Sequence, residues 1–191
     1  LAILKGSAAQ LETGASVPEV VQTIDEQVGR MDEIVGYQLA RAMSDASSLI
    51  KSNIEVAPVV ERLVAAMAKV YPDRSINLEK NPCSFFGDER DLMELLGNLV
   101  DNACKYGKSQ VAIHLAESTA QGTEIIVEDD GPGIPVAQRA GVLQRGARLD
   151  SKAQGQGIGL AVVVEIVDRY QGKIEIAKSD LGGAKITLKF G

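Results

Sequence analysis

A helical pattern at residues 88–105 constrains the fold of this chain more than any other segment. Its apolar residues recur at intervals of three and four, which places them on one face of a helix. They are Leu92, Leu95, Leu96, Leu99 and Val100. The opposite face carries an acid, two amides and a base at similar intervals, namely Glu94, Asn98, Asn102 and Lys105. Two amides on one face suit a binding role, since asparagine is a poor helix former, but by itself this face is equally compatible with a solvated surface.

Two glycine-rich segments follow this helix. The first runs from Asp129 to Gly133 after an apolar strand pattern, and by itself it is typical of an ordinary turn. The second runs from Gly155 to Gly159 and opens a helical pattern, where free backbone N–H groups favour anions. It is not a dinucleotide-fold motif, because a long polar segment precedes it and its glycines have a different spacing.

Together the three motifs predict a site for a nucleotide, its metal ion and its phosphates. Mg²⁺ takes oxygen ligands, so the amide oxygen of Asn98 combined with phosphate oxygens suits this ion. Lys105 supplies a positive charge for a phosphate. Asp129 can accept a hydrogen bond from an adenine amino group while the neighbouring glycines allow a close approach, and Tyr106 can offer an aromatic surface to the base.

Helical and strand patterns alternate along the rest of the chain. Helices are predicted at residues 58–70 and 158–170, and strands at residues 75–79, 110–115, 123–128, 173–177 and 185–190. Antiparallel strand pairs interleaved with helices predict a mixed sheet with helices on one face, which is a two-layer α/β sandwich. Residues 136–157 are polar and aperiodic, and they are predicted to form a lid between the two glycine-rich turns.

The first 50 residues have a different pattern. A capping box begins at Ser16, and apolar residues then repeat in steps of three, four or seven as far as Leu49. Residues 1–13 form a shorter helical pattern that is too short to cover this seam. We therefore expect residues 1–50 to form part of a helical hairpin with a truncated first arm and residues 51–191 to form a separate domain. The uncovered apolar seam is expected to favour self-association.

Composition argues against several classes of function. The net charge of −6 and the pI near 4.9 argue against wholesale binding to nucleic acid or to an anionic membrane surface. No segment approaches the run of about 18 apolar residues that a transmembrane helix needs. The two cysteines are too few for a disulfide framework, and Cys104 is expected in the core. The single histidine, His114, is expected to be structural or solvated, and the start at Leu1 suggests a fragment.

Residues 94–106, 129–133 and 155–159 resemble the N, G1 and G2 boxes of the GHKL ATP-binding superfamily, and they occur in the same order. They are most similar to the catalytic domain of bacterial sensor histidine kinases. Stretches such as NLVDNACKY and VEDDGPGIP are similar to the PhoQ family of these sensors. The resemblance covers about residues 52–191 and implies the Bergerat type of α/β sandwich. It also implies that residues 1–50 are the end of a dimerisation and phosphoacceptor domain.

The resemblance implies a role for each motif residue. Asn98 would be the Mg²⁺ ligand, and Glu94 would correspond to the general base of the hydrolytic relatives. With Lys105, these residues form the expected catalytic set. The residues implied to bind ATP are Asn98, Asn102, Lys105, Tyr106, Asp129, Gly131, Gly133, Ile134, Arg145, Arg148, Gly155, Gln156, Gly157, Ile158, Gly159 and Leu160.

The implied function is to bind Mg-ATP and to transfer its γ-phosphoryl group to a histidine on an upstream helix that this sequence lacks. The implied partners are a second copy, through the helical hairpin, and a cognate response regulator. The parent protein would be an inner-membrane sensor with this part in the cytoplasm and its membrane segments outside this sequence. Two alternatives stay open: a regulatory module that binds nucleotide without transfer, and a hydrolytic ATPase of the same superfamily.

Overall fold

The computed structural model describes residues 51–118, 122–143 and 158–191. The chain divides into two compact units, Leu1–Leu49 and Ile50–Gly191, and all the described residues belong to the second. The helical hairpin predicted for residues 1–50 lies outside the described residues, and so do residues 144–157 of the predicted lid.

The described residues form seven strands and four helices. In chain order these are β1 (Ser52–Glu55), α1 (Val56–Val70), β2 (Ser75–Glu79), β3 (Ser84–Gly87), α2 (Glu89–Tyr106), β4 (Gln110–Ser118), β5 (Gly122–Asp129), α3 (Val136–Val142), α4 (Ile158–Arg169), β6 (Lys173–Lys178) and β7 (Ala184–Phe190). None of the helices in these ranges is long and apolar enough to cross a membrane.

Five strands form a mixed sheet, as the sequence predicted, and their order in it is β2-β4-β5-β7-β6. β2 pairs with β4 in parallel, and the other neighbouring strands are antiparallel. β1 and β3 form a separate two-stranded antiparallel sheet that the sequence did not predict. Each of these strands has only four residues, which is too short to show a clear alternating pattern.

The core lies between one face of the sheet and the helices. The apolar stripe of α2 is completely buried, and so are the inward-facing residues Val111, Ile113 and Leu115 of β4. Cys104 is also fully buried in α2, which confirms its predicted place in the core. The opposite face of the sheet is polar, and His114 lies there with its Nδ1 atom 2.8 Å from Oε2 of Glu79. In the described part of the chain the helices therefore lie on one face of the sheet, and the predicted α/β sandwich is confirmed.

α2 begins and ends almost where the sequence predicted. The side chain of Asp88 caps the helix by accepting a hydrogen bond of 2.7 Å from the backbone N–H of Arg90. At the other end, the backbone N–H of Gly107 donates to the carbonyl oxygen of Ala103. The short helix α3 was not predicted, because its seven residues lie in a segment that has little apolar periodicity.

Candidate functional site

The polar face of α2 carries the predicted acid, amides and base. The side-chain nitrogen of Asn98 donates a hydrogen bond of 2.8 Å to the backbone carbonyl of Glu94, one helical turn earlier. This bond fixes the plane of the amide and leaves its oxygen as the atom that can accept a cation. Asn98 and Asn102 are half-buried, whereas Lys105 is exposed. The face therefore combines one oriented amide oxygen with an exposed positive charge.

The pKa of Glu94 is raised on this face. Partial burial of its carboxyl group is the main cause, because burial disfavours the charged form, and the neighbouring carboxylate of Asp91 adds to the effect. The cation of Arg169 acts in the opposite direction. Glu94 therefore lies among other charged side chains at the same end of α2, where opposing electrostatic effects act on its carboxyl group.

The start of α4 lies directly against the two amides. A Cβ atom on Gly159 would lie 2.8 Å from Oδ1 of Asn98 and 3.4 Å from Nδ2 of Asn102. Any side chain at this position would displace the amide of Asn98, so the close approach requires glycine. Leu160, in the same turn of α4, is half-buried. The structure thus brings the last glycine of the second glycine-rich segment to the polar face of α2.

Asp129 occupies the end of β5 and is held by backbone groups. Its Oδ1 atom accepts hydrogen bonds from the backbone N–H groups of Gly131, at 2.8 Å, and Ala184, at 3.2 Å. Burial raises the pKa of this carboxyl group, although the two hydrogen bonds counteract part of the effect and Asp130 adds to it. Both backbone donors use the same oxygen, so the carboxylate has a fixed orientation.

The glycines after Asp129 form a tight turn. A Cβ atom on Gly131 would overlap the carbonyl oxygen of Tyr106, and Gly133 has a φ of +71°, which favours glycine. Ile134 is half-buried, and its carbonyl oxygen accepts a hydrogen bond of 3.0 Å from Nε of Arg139. Tyr106, which is 43% exposed, ends α2 with its backbone carbonyl next to this turn. The predicted base-binding residues are therefore neighbours in space.

The two adjacent aspartates have different surroundings. Asp130 accepts hydrogen bonds from the backbone of Lys108, at 2.7 Å, and from the hydroxyl of Ser109, at 2.7 Å. Desolvation alone would raise the pKa of Asp130, but these bonds outweigh it and hold the pKa well below its ordinary range. Asp130 therefore closes the turn between α2 and β4, whereas Asp129 faces the glycine turn.

Sequence reasoning missed Gly183 as part of this site. Its backbone N–H donates a hydrogen bond of 3.1 Å to the carbonyl oxygen of Asp129, and its Cα packs beside that carboxylate. The sequence signal was the glycine pair Gly182-Gly183 before β7, which by itself is typical of an ordinary hairpin turn. Arg139 was also missed, because no pattern in the sequence indicates its bond to the glycine turn.

Several predicted phosphate-binding residues lie outside the described residues. They are Arg145, Arg148, Gly155, Gln156 and Gly157. Ile158 begins α4, and only its backbone is described. The described part of the site therefore consists of the polar face of α2, the Asp129 turn and the first turn of α4.

Comparison with known proteins supports the same interpretation. Residues 87–191 match the family of histidine kinase-, DNA gyrase B- and HSP90-like ATPases. Over its whole length the chain is 40% identical to the sensor protein PhoQ of Escherichia coli (strain K12) and covers 40% of that protein. It is 39% identical to the two-component sensor PhoQ of Pseudomonas aeruginosa, again over its whole length, and covers 43% of it. The chain thus spans less than half the length of these relatives.

Solved structures show the same fold. The ATP-binding domain of PrrB from Mycobacterium tuberculosis has a TM-score of 0.63 and 26% identity, over 73% of this chain and 96% of that one. The mycobacterial sensor histidine kinase MprB has a TM-score of 0.67 and 24% identity, over 74% of this chain and 97% of that one. The predicted resemblance to sensor kinases of the PhoQ type is confirmed, and the chain belongs to the family of histidine kinase-, DNA gyrase B- and HSP90-like ATPases.

Proposed function

We propose that this chain binds Mg-ATP and transfers the γ-phosphoryl group to a histidine on an upstream dimerisation helix. The observation that carries the proposal is the contact between the amides of Asn98 and Asn102 and the glycine at the start of α4, Gly159. A helix start provides backbone N–H groups for phosphates, and an amide oxygen beside it suits the metal that accompanies them. Identity of 40% to a sensor protein over the whole chain supports the kinase assignment.

The donor set of α2 fits a magnesium ion. Because Nδ2 of Asn98 is engaged by the carbonyl of Glu94, Oδ1 is the amide atom that remains for a hard cation. Mg²⁺ bound there would neutralise charge on the phosphates. Lys105 and Asn102 would contact the phosphates from α2, and Arg145 and Arg148 would contact them from the lid. The segment from Gly155 to Leu160 would supply backbone N–H groups.

The base would lie at the Asp129 turn. Oδ1 of Asp129 is already bonded to two backbone N–H groups, so Oδ2 would accept a hydrogen bond from the adenine amino group. The ring of Tyr106 would cover one face of the base. Gly131, Gly133 and Ile134 would line the approach to it, because they form the turn that directly follows Asp129.

In the transfer step, the bond between the γ-phosphorus and the β,γ-bridging oxygen breaks and a bond between phosphorus and the histidine nitrogen forms. ADP leaves with the electron pair of the broken bond. This chain would contribute positioning and charge neutralisation, which are the main protein contributions to phosphoryl transfer. Glu94 adjoins Asn98 on the same face, and its place there suits a role near the acceptor.

The wider context follows from the relatives. We propose that residues 1–50 belong to a helical hairpin that pairs with a second copy and that residues 51–191 are the ATP-binding catalytic domain. The parent protein would be an inner-membrane sensor with this domain on the cytoplasmic side. It would pass the phosphoryl group to an aspartate of a cognate response regulator.

The test is transfer in trans. This chain is mixed with γ-³²P-labelled Mg-ATP and with a longer form of the protein that includes the upstream histidine and carries Asp129→Asn. Acid-labile, base-stable label on the longer form is expected. Steady phosphate release without labelled protein would instead indicate a hydrolytic ATPase. Binding without either product would indicate a regulatory nucleotide-binding module.

A further inference from the structure

A buried carboxylate ties the end of α4 to the start of α2. Asp91, which is only 4% exposed, accepts hydrogen bonds from Nη1 of Arg169, at 3.0 Å to Oδ2 and 3.2 Å to Oδ1. The hydroxyl of Tyr170 donates a further bond of 2.7 Å to Oδ2. The oxygen of Tyr170 also accepts a bond of 3.1 Å from the backbone N–H of Asp88. We call these four residues the Asp91 clamp.

The clamp lies at the opposite end of α4 from the proposed phosphate site. Gly159, in the first turn of α4, contacts Asn98 and Asn102, whereas Arg169 at the last turn contacts Asp91. The two contacts are separated by ten residues of α4, or about 15 Å at 1.5 Å per residue. The two helices therefore run antiparallel and are fastened at both ends.

The partners of the Asp91 carboxylate compensate for its burial. A buried carboxylate is costly unless it is paired, and Asp91 has both a cation and a hydroxyl as partners. Burial, followed by the bond to Asp91, raises the pKa of Tyr170 to about 12. The phenol therefore stays protonated and remains a donor. Its ring lies edge-on to Phe85, with the centroids 4.8 Å apart, so the hydroxyl has a fixed position.

We propose that Tyr170 is a positioning residue for nucleotide binding. Through Asp91 it fixes the register of α4 against α2, and this register places Gly159 beside the amides of Asn98 and Asn102. Tyr170 does not touch the nucleotide in this proposal. This inference rests on the proposed function, because the ligand whose binding Tyr170 would affect is Mg-ATP.

The test uses Tyr170→Phe in the whole 191-residue chain. This variant keeps the ring beside Phe85 and removes only the hydroxyl. We expect the Kd for Mg-ATP to rise by about three- to tenfold, because the variant loses two hydrogen bonds of the clamp, one to Asp91 and one from Asp88, and part of their free energy holds α4 in register. The side-chain amide NMR signals of Asn98 and Asn102 are expected to shift in the nucleotide-free protein. A loss of stability alone would change neither quantity while almost all of the protein stays folded.

Tyr71→Phe is the matched control. Tyr71 also donates a bond of 2.7 Å to an aspartate of α2, Asp101, but it follows α1 and makes no contact with α4 through this bond. We expect its Kd for Mg-ATP to remain within about twofold of the wild-type value. In a double-mutant cycle, Tyr170→Phe is expected to add little to the effect of Asp91→Asn, because both variants break the same clamp.

Two results would overturn the proposal. One is an unchanged Kd with unchanged amide signals in Tyr170→Phe, and the other is an equal rise in Kd in Tyr71→Phe. Failure of the wild-type chain to bind Mg-ATP would be different, since it would reject the proposed function itself. The wild-type measurement therefore separates the two failures.

Discussion

Gly183 lies so close to Asp129 that no side chain fits between them. A Cβ atom on Gly183 would overlap Oδ1 of Asp129 and would lie 2.5 Å from the backbone nitrogen of Gly131. The same glycine donates its backbone N–H to the carbonyl oxygen of Asp129. The hairpin before β7 therefore holds the carboxylate that we propose for adenine recognition.

Replacement of this glycine should damage the site. In Gly183→Ala the new methyl group must displace the Asp129 carboxylate or the turn that contains Gly131. We expect the free energy of unfolding to fall by about 1–3 kcal/mol, the usual cost of overpacking, and the affinity for ATP to fall as well. Urea unfolding and calorimetric titration measure the two effects. Unchanged stability and affinity would show that the hairpin does not hold the carboxylate.

Gly97→Ala should have the opposite effect on stability. Gly97 lies inside α2, and nothing comes within 4 Å of a Cβ atom built on it. Because glycine is unfavourable in a helix interior, the variant should raise the free energy of unfolding by about 0.5–1 kcal/mol. The measurement is the same urea unfolding, with Gly183→Ala as the contrasting variant. A decrease would mean that the polar face of α2 needs the flexibility of Gly97.

The sequence predicted most of the described elements and missed β1, β3 and α3, which are the shortest strands and the shortest helix among them. Eighteen residues of α2 give several turns of apolar periodicity, so both ends were predicted within a residue or two. β3 has four residues and α3 has seven, and neither length permits a clear period. The short strands depend on non-local pairing, such as that of Asn53 in β1 with Phe86 in β3.

The site was predictable where its residues share one helix. The spacing of Glu94, Asn98 and Asn102 fixes their common face, and the structure has them on it. Contacts between segments that are far apart in the sequence could not be predicted from it. Gly183 meets Asp129 only because β7 pairs with β5, and Arg169 meets Asp91 only because α4 packs against α2.

ATP affinity should depend on the protonation of Asp129. Its pKa is raised above the ordinary 3.8, mainly by burial, and only the ionised form presents an unprotonated Oδ2 beside the already bonded Oδ1. As the pH falls through the raised pKa, the carboxyl group takes up a proton and the affinity for ATP should fall. The pH dependence of Kd should be reduced in Asp129→Asn, which cannot ionise and should bind ATP more weakly at neutral pH.

The contribution of Asp129 to stability should change with pH in the direction opposite to the change in ATP affinity. A carboxyl group with a raised folded-state pKa binds its proton more tightly when folded, so its contribution to stability is present at low pH. This contribution is lost as the pH rises through the folded-state pKa. The difference in unfolding free energy between wild type and Asp129→Asn isolates this group from the opposite effect of Asp130. A difference that does not vary above pH 3.8 would contradict the raised pKa.

Asn98→Ala should remove the magnesium dependence of nucleotide binding. The variant deletes the amide oxygen that we propose as the metal ligand, and it leaves the Asp129 turn intact. We expect the Kd for ATP with Mg²⁺ present to rise by about tenfold, equivalent to about 1.4 kcal/mol. The Kd measured with excess chelator should change much less, because the adenine contacts remain. Competition titration with a fluorescent ATP analogue gives both values.

The matched control for this prediction is Asn77→Ala. Asn77 is exposed on β2, and its loss should leave binding unchanged with or without Mg²⁺. The decisive quantity is the ratio of Kd in chelator to Kd in Mg²⁺, which should approach one in Asn98→Ala and keep its wild-type value in Asn77→Ala. An equal loss of affinity with and without Mg²⁺ in Asn98→Ala would assign Asn98 to packing against Gly159 rather than to the metal.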